Sequence, residues 1–290
     1  MSKGIFNTYN KKKSFFEVFF KDLNHIHLFI RQFLKNGFRT KTIFIYPDYP
    51  GSGTTIYKVA KTLNYNLTNK VCNNPDIIIF WEDQTHKTQF LSLEPFLKSH
   101  NVINYNSRDI SKVFVDNQFK SVFGYSVIIN PKTFSGKIVA KSDINAAHDG
   151  QIIKGPLSDL KDNMVYQRLI NNQFDANSIV DFRVPIVNKT LDFVYLKYRD
   201  INERFKNTTI KTELKPIIDV LSSDEIILIN KFVKKIELDY GELDILRDKD
   251  DGKIYIVDVN NTPHGPPANT NKKDALTAIE KISHALLNIT

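Results

Sequence analysis

Between Asp239 and Pro267 the chain reads DYGELDILRDKDDGKIYIVDVNNTPHGPP, and its chemically capable side chains are carboxylates and an amide at strand spacing. Glu242-Leu243-Asp244-Ile245-Leu246 alternates acidic and apolar residues, the period of a half-buried strand. Ile254 to Asn260 is a second run, β-branched and mostly apolar. Asp248-Lys249-Asp250-Asp251-Gly252 between them supplies turn chemistry. A hairpin symmetric about Asp251 sets Asp244 opposite Asp258, with Cβ atoms roughly 4.5–5.5 Å apart. Asn260 and Glu242 share that face. No basic residue stands among these oxygens, and like charges facing each other destabilise a hairpin, so the face calls for a cation. Oxygen donors suit Mg²⁺, which commonly takes one or two carboxylates and completes its shell with substrate phosphates. The alternative is a solvated hairpin, which the apolar second strand disfavours. The turn is not a calcium loop: Gly252 comes one residue early after Asp248, and Val259 stands where a glutamate is needed.

GELDILRD…GKIYIVDVNNTP resembles the metal-binding hairpin of the ATP-grasp superfamily, to which D-alanine–D-alanine ligase, glutathione synthetase and amino-acid ligases belong. The family pattern is an acid on one strand, acid-x-Asn on the next, then a Thr/Pro-containing loop; Asp244, Asp258 and Asn260 match its three ligand positions. The resemblance covers most of the chain, with specific motifs in short patches. It implies an α/β (α+β) fold, an N-terminal open α/β layer followed by two α+β subdomains that clasp ATP. It implies ATP and Mg²⁺ as cofactors, with Mn²⁺ as an alternative cation, and ligation of a carboxylate to an amine through an acylphosphate. Lys141, at the end of the strand Lys137–Lys141, matches the family lysine on ATP phosphate, and Lys120 the earlier one near adenine. The family loop that follows is glycine-rich so that backbone N–H groups approach phosphate. Here Ser142–Gly150 holds only Gly150, which leaves Asn145 and His148 as side-chain donors. Asn163–Ile170 resembles the hinge strand that frames adenine, through Gln167, Arg168 and Leu169. Arg199, Arg204 and Asn207 resemble the Arg-then-Asn segment that meets phosphate or acceptor carboxylate, where a guanidinium fork suits planar oxyanions.

These side chains need a frame. A strand over 42–46, a helix over 54–63, strands over 76–81 and 102–106 and a helix over 110–123 predict an open α/β layer. We divide the chain into 1–108, the N-terminal helix and α/β layer, and 109–290, the nucleotide-binding part, itself split into 109–165 and 166–290. Gly51-x-Gly53 is no phosphate loop, since Gly-Lys-Ser/Thr is absent and Ile56 stands where a dinucleotide fingerprint has glycine. A strand-to-helix turn that needs glycine geometry is expected there. In the strand 181–187 Arg183 shares a face with Pro185 and Val187; it wants a neighbouring acid or a phosphate. Ser222 and Glu225 have capping-box spacing, and Ala275 to Leu286 reads as a packing helix. Residues 14–34 read as a helix whose aromatic stripe serves as core or as a homodimer face. His25 and His27, two apart, do not share a helical face and are not paired ligands.

His264 sits between Pro263 and Gly265 in a proline-stiffened loop beyond Asn260. It either orients a carboxylate or deprotonates an attacking amine, or it merely bonds the turn. The acceptor, a small molecule or a biopolymer, depends on the loops 49–54 and 262–267, which vary freely on a shared fold.

Composition is consistent with this chemistry. The 290 residues are 41% hydrophobic, enough for a core, and carry 40 basic against 32 acidic side chains, net +8, which suits an anionic substrate. Cys72 is the one cysteine, which excludes an intrachain disulfide and a thiolate metal cluster. No run of 18 apolar residues is present, so no membrane insertion is expected and a cytoplasmic location is. The rival activity on the same fold is a kinase with a hydroxyl acceptor. A rival of another class is a non-catalytic basic protein on nucleic acid; the phenylalanines sit at core-like positions instead of interleaving with lysines, so nucleic acid is not an expected partner.

Overall fold

The computed structural model describes residues 26–27, 30–31, 33–145, 147, 149–206 and 208–289. Most of the helix expected over 14–34, with its aromatic stripe and His25, lies outside them; its members Ile26, His27, Ile30, Arg31, Phe33 and Leu34 are helical. Strand β1 (Thr42–Pro47) leads into helix α1 (Thr55–Leu63), whose cap Thr54 accepts from Tyr57 N. Gly51 and Gly53 in the connecting loop both have ordinary negative-side φ, against the expected glycine geometry. What Gly53 provides is room: a Cβ there would stand 3.3 Å from His264 Nδ1. Strands β2 (Asn66–Thr68), β3 (Ile77–Trp81) and β4 (Val102–Ile103) complete a parallel sheet in the order β2-β1-β3-β4. The strand expected to Asn106 stops at Ile103. Asn104 turns left-handed, φ 61, and is fully buried. Its amide accepts from Asp239 N at 3.0 Å and Tyr240 N at 2.9 Å and donates to Tyr240 O at 2.7 Å, so it bonds the layer to the strand that follows residue 239.

Helix α2 (Lys112–Phe123) is capped by Ser111 and ended by Gly124 at φ 82. Strands β5 (Gly136–Ser142), β6 (Gln151–Gly155) and β7 (Met164–Arg168) form a second, antiparallel sheet in the order β6-β5-β7. The third sheet takes β8 (Ser178–Val187), β9 (Lys189–Thr190), β10 (Phe193–Asp200), β11 (Lys211–Pro216), β12 (Tyr240–Arg247) and β13 (Ile254–Asn260). It runs β11-β10-β8-β12-β13, with β9 on β8. Helix α3 (Ser223–Lys235) precedes β12 and carries the expected capping box of Ser222 and Glu225. Helix α4 (Lys272–Leu287) ends the chain.

Strand alternation divides this sheet into two faces. Phe182, Val184 and Ile186 of β8 and Leu243 and Ile245 of β12 join Val115 and Phe119 of α2 and Ile229, Phe232 and Val233 of α3 in one core. Asp181, Arg183 and Asp244 are thereby sent to the other face, where a cavity lies. Helix α4 returns to the beginning: Ile279, Ile282 and Leu286 pack with Ile56, Val59 and Leu63 of α1 and with Val187, Tyr195 and Tyr240 of the large sheet. Burying each such side chain contributes about 1.5–3 kcal/mol, and this shared core fixes the parallel layer against the hairpin β12–β13.

Candidate active site

The hairpin pairs Glu242 with Asn260, Leu243 with Val259 and Asp244 with Asp258, the register expected from symmetry about Asp251. Toward the turn the ladder is one residue out of step with that symmetry, Ile245 opposite Ile256 and Leu246 opposite Tyr255. The register shift falls between Asp244 and Ile245, and the extra residue Val257 restores the pairing. Bulges of this kind re-aim a side chain next to functional sites. Without this one, Asp244 would oppose Val257.

The expectation of no basic residue on this face is corrected by the strand order. Strand β8 lies on the other side of β12 and sets Arg183 opposite Asp244. Arg183 Nε donates to Asp244 Oδ1 at 2.8 Å and Nη2 to Oδ2 at 3.0 Å, while Nη1 lies 3.5 Å from Glu242 Oε2. Burial works to raise the Asp244 pKa, but the charges of Arg183 and Lys197 prevail and hold it well below the usual carboxylate range. Glu242 is 2% exposed, and neither of its oxygens has a hydrogen-bond partner among the described residues. Burial pushes its carboxyl up to about 7, which Arg183 only partly opposes. The Asp258 carboxyl is also raised, by burial and then by Asp244, with Lys141 and Lys112 drawing it back. Asn260 Oδ1 accepts from Thr262 N at 2.9 Å.

A cavity of about 600 Å³ opens between the three-stranded sheet and the large one. Its lining brings Asp258, Asn260, Asp244 and Arg183 together with Lys112, Lys141, Lys197, Arg199 and Arg204. Lys141, at the end of β5, has its ammonium pKa lowered by burial to about 8. Lys197 is 3% exposed and likewise lowered by burial to about 8. Arg199 Nε lies 3.1 Å from Asp181 Oδ2, and Arg204 Nη1 donates to Asn172 Oδ1 at 2.7 Å. Lys112 also lines the cavity, its Nζ donating to Ile144 O at 2.7 Å.

Lys120 does not join them. It stands eight residues beyond Lys112 on α2, about 12 Å along the helix axis, exposed and away from the cavity lining. Lys112 and Lys197 are the two cavity cations that sequence reading passes over. The signal for Lys197 was its parity with Arg199 on one strand; Lys112 gave none beyond its place at the start of a helix. Gln167, Arg168 and Leu169 border the cavity, though Arg168 turns its guanidinium to Asp248 at 2.7 Å and Asp251 at 3.3 Å. His148 and Asn207 lie outside the described residues. Asn145 contacts Thr85 Oγ1 through its backbone N–H at 2.8 Å, so it ties the loop after β5 to the first layer. His264 is exposed, bridges to Thr54, and stands between the large cavity and a smaller one of about 340 Å³ bordered by Asp48, Trp81 and Asp83.

The donors fit a hard divalent cation. They are oxygens only, Asp258 has no hydrogen-bond donor among the described residues, and each Asp244 oxygen keeps a lone pair beyond the one given to Arg183.

No protein-family model and no curated protein matches the chain. Solved structures do. The ATP-grasp ligase PsnB complexed with minimal precursor aligns at a TM-score of 0.55 and 13% identity over 86% of this chain and 99% of that one. D-alanine–D-alanine ligase from Bacillus anthracis aligns at 0.55 and 14% over 86% and 96%. PsnB complexed with minimal precursor, Mg and ADP aligns at 0.55 and 12% over 85% and 96%. Among the described residues no helix is long and apolar enough to cross a membrane. A parallel layer, a small antiparallel sheet and a large sheet that presents paired acids to the cavity between them: this chain has the ATP-grasp fold.

Proposed function

We propose that the protein is an ATP- and Mg²⁺-dependent ligase that joins a carboxylate to an amine. The observation that carries this reading is the mixed lining of the large cavity. It combines the apolar Val127, Val139, Leu169, Ile170, Leu246 and Val257 with Lys112, Lys141, Arg183, Lys197, Arg199 and Arg204 and with the oxygens of Asp244, Asp258 and Asn260. A nucleoside triphosphate needs both, apolar surface for a flat base and cations for a polyanionic tail. The aligned proteins are ligases by name, one complexed with Mg and ADP, and the acceptor here is a small molecule or a biopolymer.

On this reading Asp258 and Asn260, with Asp244 beside them, hold Mg²⁺. The bound cation supplies charge neutralisation at the phosphates. Lys112, Lys141 and Lys197 meet the phosphate oxygens, and Arg199 and Arg204 orient the acceptor carboxylate. A carboxylate oxygen attacks the γ-phosphorus, ADP leaves, and an acylphosphate forms. The amine then attacks the acyl carbon, loses a proton to His264, and expels phosphate. Most of the rate comes from positioning and fixed charge, not from a protein nucleophile. The two domains of this reading are 1–108 and 109–290.

The test is a screen for ADP release with Mg²⁺·ATP over carboxylates and amines. The expected products are ADP, free phosphate and an amide, only when both acceptors are present. A stable phosphorylated product makes the protein a kinase; no shift in melting temperature with Mg²⁺ and a non-hydrolysable ATP analogue refutes nucleotide use altogether.

A further inference from the structure

Three successive residues of the loop after β13 are held by residues at the start of α1. Pro263 O accepts from Thr55 N at 3.0 Å, His264 bridges to Thr54, and Gly265 O accepts from Lys58 Nζ. Lys58 Nζ also donates to Gly53 O at 3.3 Å. One ammonium thus joins the loops 49–54 and 262–267, and among the described residues no other side chain bonds to both. Both acceptors are glycine carbonyls. A Cβ at Gly53 would stand 3.3 Å from His264 Nδ1, and one at Gly265 would stand 2.7 Å from Thr55 Oγ1 and 3.3 Å from Glu242 Oε1. The missing side chains let the loops approach, and Lys58 closes the contact.

Lys58 is poorly placed for the helix that carries it. It stands in the first turn of α1, where the helix dipole disfavours a cation. Burial lowers its ammonium pKa, against the pull of Glu242. Its contacts across the loops offset both effects. Lys58 lines neither cavity, so it meets neither the nucleotide nor the acceptor directly. His264, next to the carbonyl that Lys58 holds, borders both cavities.

We propose that Lys58 is a positioning residue for His264: by joining Gly265 O to Gly53 O it fixes the imidazole between the two cavities, and its removal acts on the acceptor chemistry through His264. Helix α1 belongs to the parallel layer, whereas His264 follows the strand that carries Asp258 and Asn260. The first layer thereby sets a group at the reacting end of a site whose other members come from the two later sheets. A misplacement of about 1 Å at such a group can cost roughly 10²-fold in rate. The loss falls on the amine step and spares nucleotide binding.

The inference rests on the ligase reading, and one arm of its test does not need that reading. Thr55 N–H, at the start of a helix, has no intrahelical partner, so its exchange with deuterated water reports whether the loop is docked on it. In the full chain without nucleotide, Lys58→Met speeds Thr55 exchange by about tenfold or more, while Ala60 and Leu63 of the same helix stay within about twofold. Lys58→Arg, with donors enough for both carbonyls, returns Thr55 to within about threefold of the wild type. With Mg²⁺·ATP and acceptors, Lys58→Met lowers acceptor-dependent ADP release by about tenfold or more and keeps the calorimetric affinity for the β,γ-imido analogue of ATP. In a His264→Ala background the same substitution lowers release no further. Unchanged Thr55 exchange in Lys58→Met overturns the inference, as does faster exchange along the whole helix, equal loss in the Met and Arg variants, or losses that multiply in the double variant. Wild type that releases no ADP with any acceptor overturns the ligase reading and the catalytic part of this inference, while Thr55 exchange still decides whether Lys58 docks the loop.

Discussion

Arg183 grips Asp244 through two parallel bonds of 2.8 and 3.0 Å from the neighbouring strand, and the same guanidinium stands 3.5 Å from Glu242, whose oxygens have no hydrogen-bond partner among the described residues. One arginine thus serves two acids, Glu242 buried and Asp244 partly exposed. Arg183→Met removes the nearest positive charge from both, leaves Lys197 as partial compensation, and costs about 3 kcal/mol, the low end for breaking a buried pair. Urea unfolding measures it, and the double variant Arg183→Met/Asp244→Leu recovers most of the loss. Equal loss in single and double variants would falsify the view that the orphaned charge is the cause.

Asp258 has no hydrogen-bond donor among the described residues and faces the cavity beside Asn260. Asp258→Asn removes a charge without changing volume. ATP turnover is expected to vanish while the fold persists, with an unchanged or slightly higher melting temperature because like charge on the face is reduced. Near-normal turnover at ordinary Mg²⁺ rules out the hairpin as the cation site.

His264 stands between the two cavities. In His264→Ala, acceptor-dependent ADP release falls by roughly 10²-fold, the low end for lost acid–base help, while calorimetric affinity for the nucleotide analogue is kept. A parallel fall in nucleotide affinity assigns the residue to the loop's architecture alone.

Asn104 makes its bonds to residues 239 and 240 from a left-handed backbone. Asn104→Ala loses those bonds and gains backbone strain; Asn104→Gly loses the bonds only. Both destabilise, the alanine variant more, by about 1 kcal/mol. Denaturant midpoints that place alanine above glycine contradict the strain assignment.

Lys87 is 4% exposed, with Nζ donating to Phe80 O at 2.9 Å, and burial lowers its ammonium pKa from 10.5 to about 7 against the pull of Glu82. Between those two values the unfolded chain holds the proton and the folded chain does not. Stability contributed by this residue therefore rises with pH through that window. From about pH 7 to pH 10 the wild type gains more than Lys87→Met, by on the order of 3 kcal/mol. Parallel stability curves for the two proteins, from chemical unfolding at several pH values, would show that Lys87 stays charged.

Local spacing was sufficient for several assignments. Alternation sent Glu242, Asp244, Asp258 and Asn260 to one face, and Ser222 with Glu225 announced the start of α3, because pleat and cap are set by residues close in the chain. The apolar run Ile138-Val139-Ala140 of β5 put Lys141 near a strand end in the same way. Which strand lies beside the acids is a different kind of fact. Arg183 meets Asp244 because β8 is inserted between β10 and β12, an order that no spacing encodes. The bulge at Val257 cannot be read from alternation either, since it interrupts it. Lys112 and Lys120 look alike on a helix drawn alone; only the packing of α2 against the large sheet, with its first turn toward the cavity, separates them. Sequence periodicity fixes which face a side chain takes, whereas its partners across that face come from elements far away in the chain, and their arrangement exists only once the core has formed.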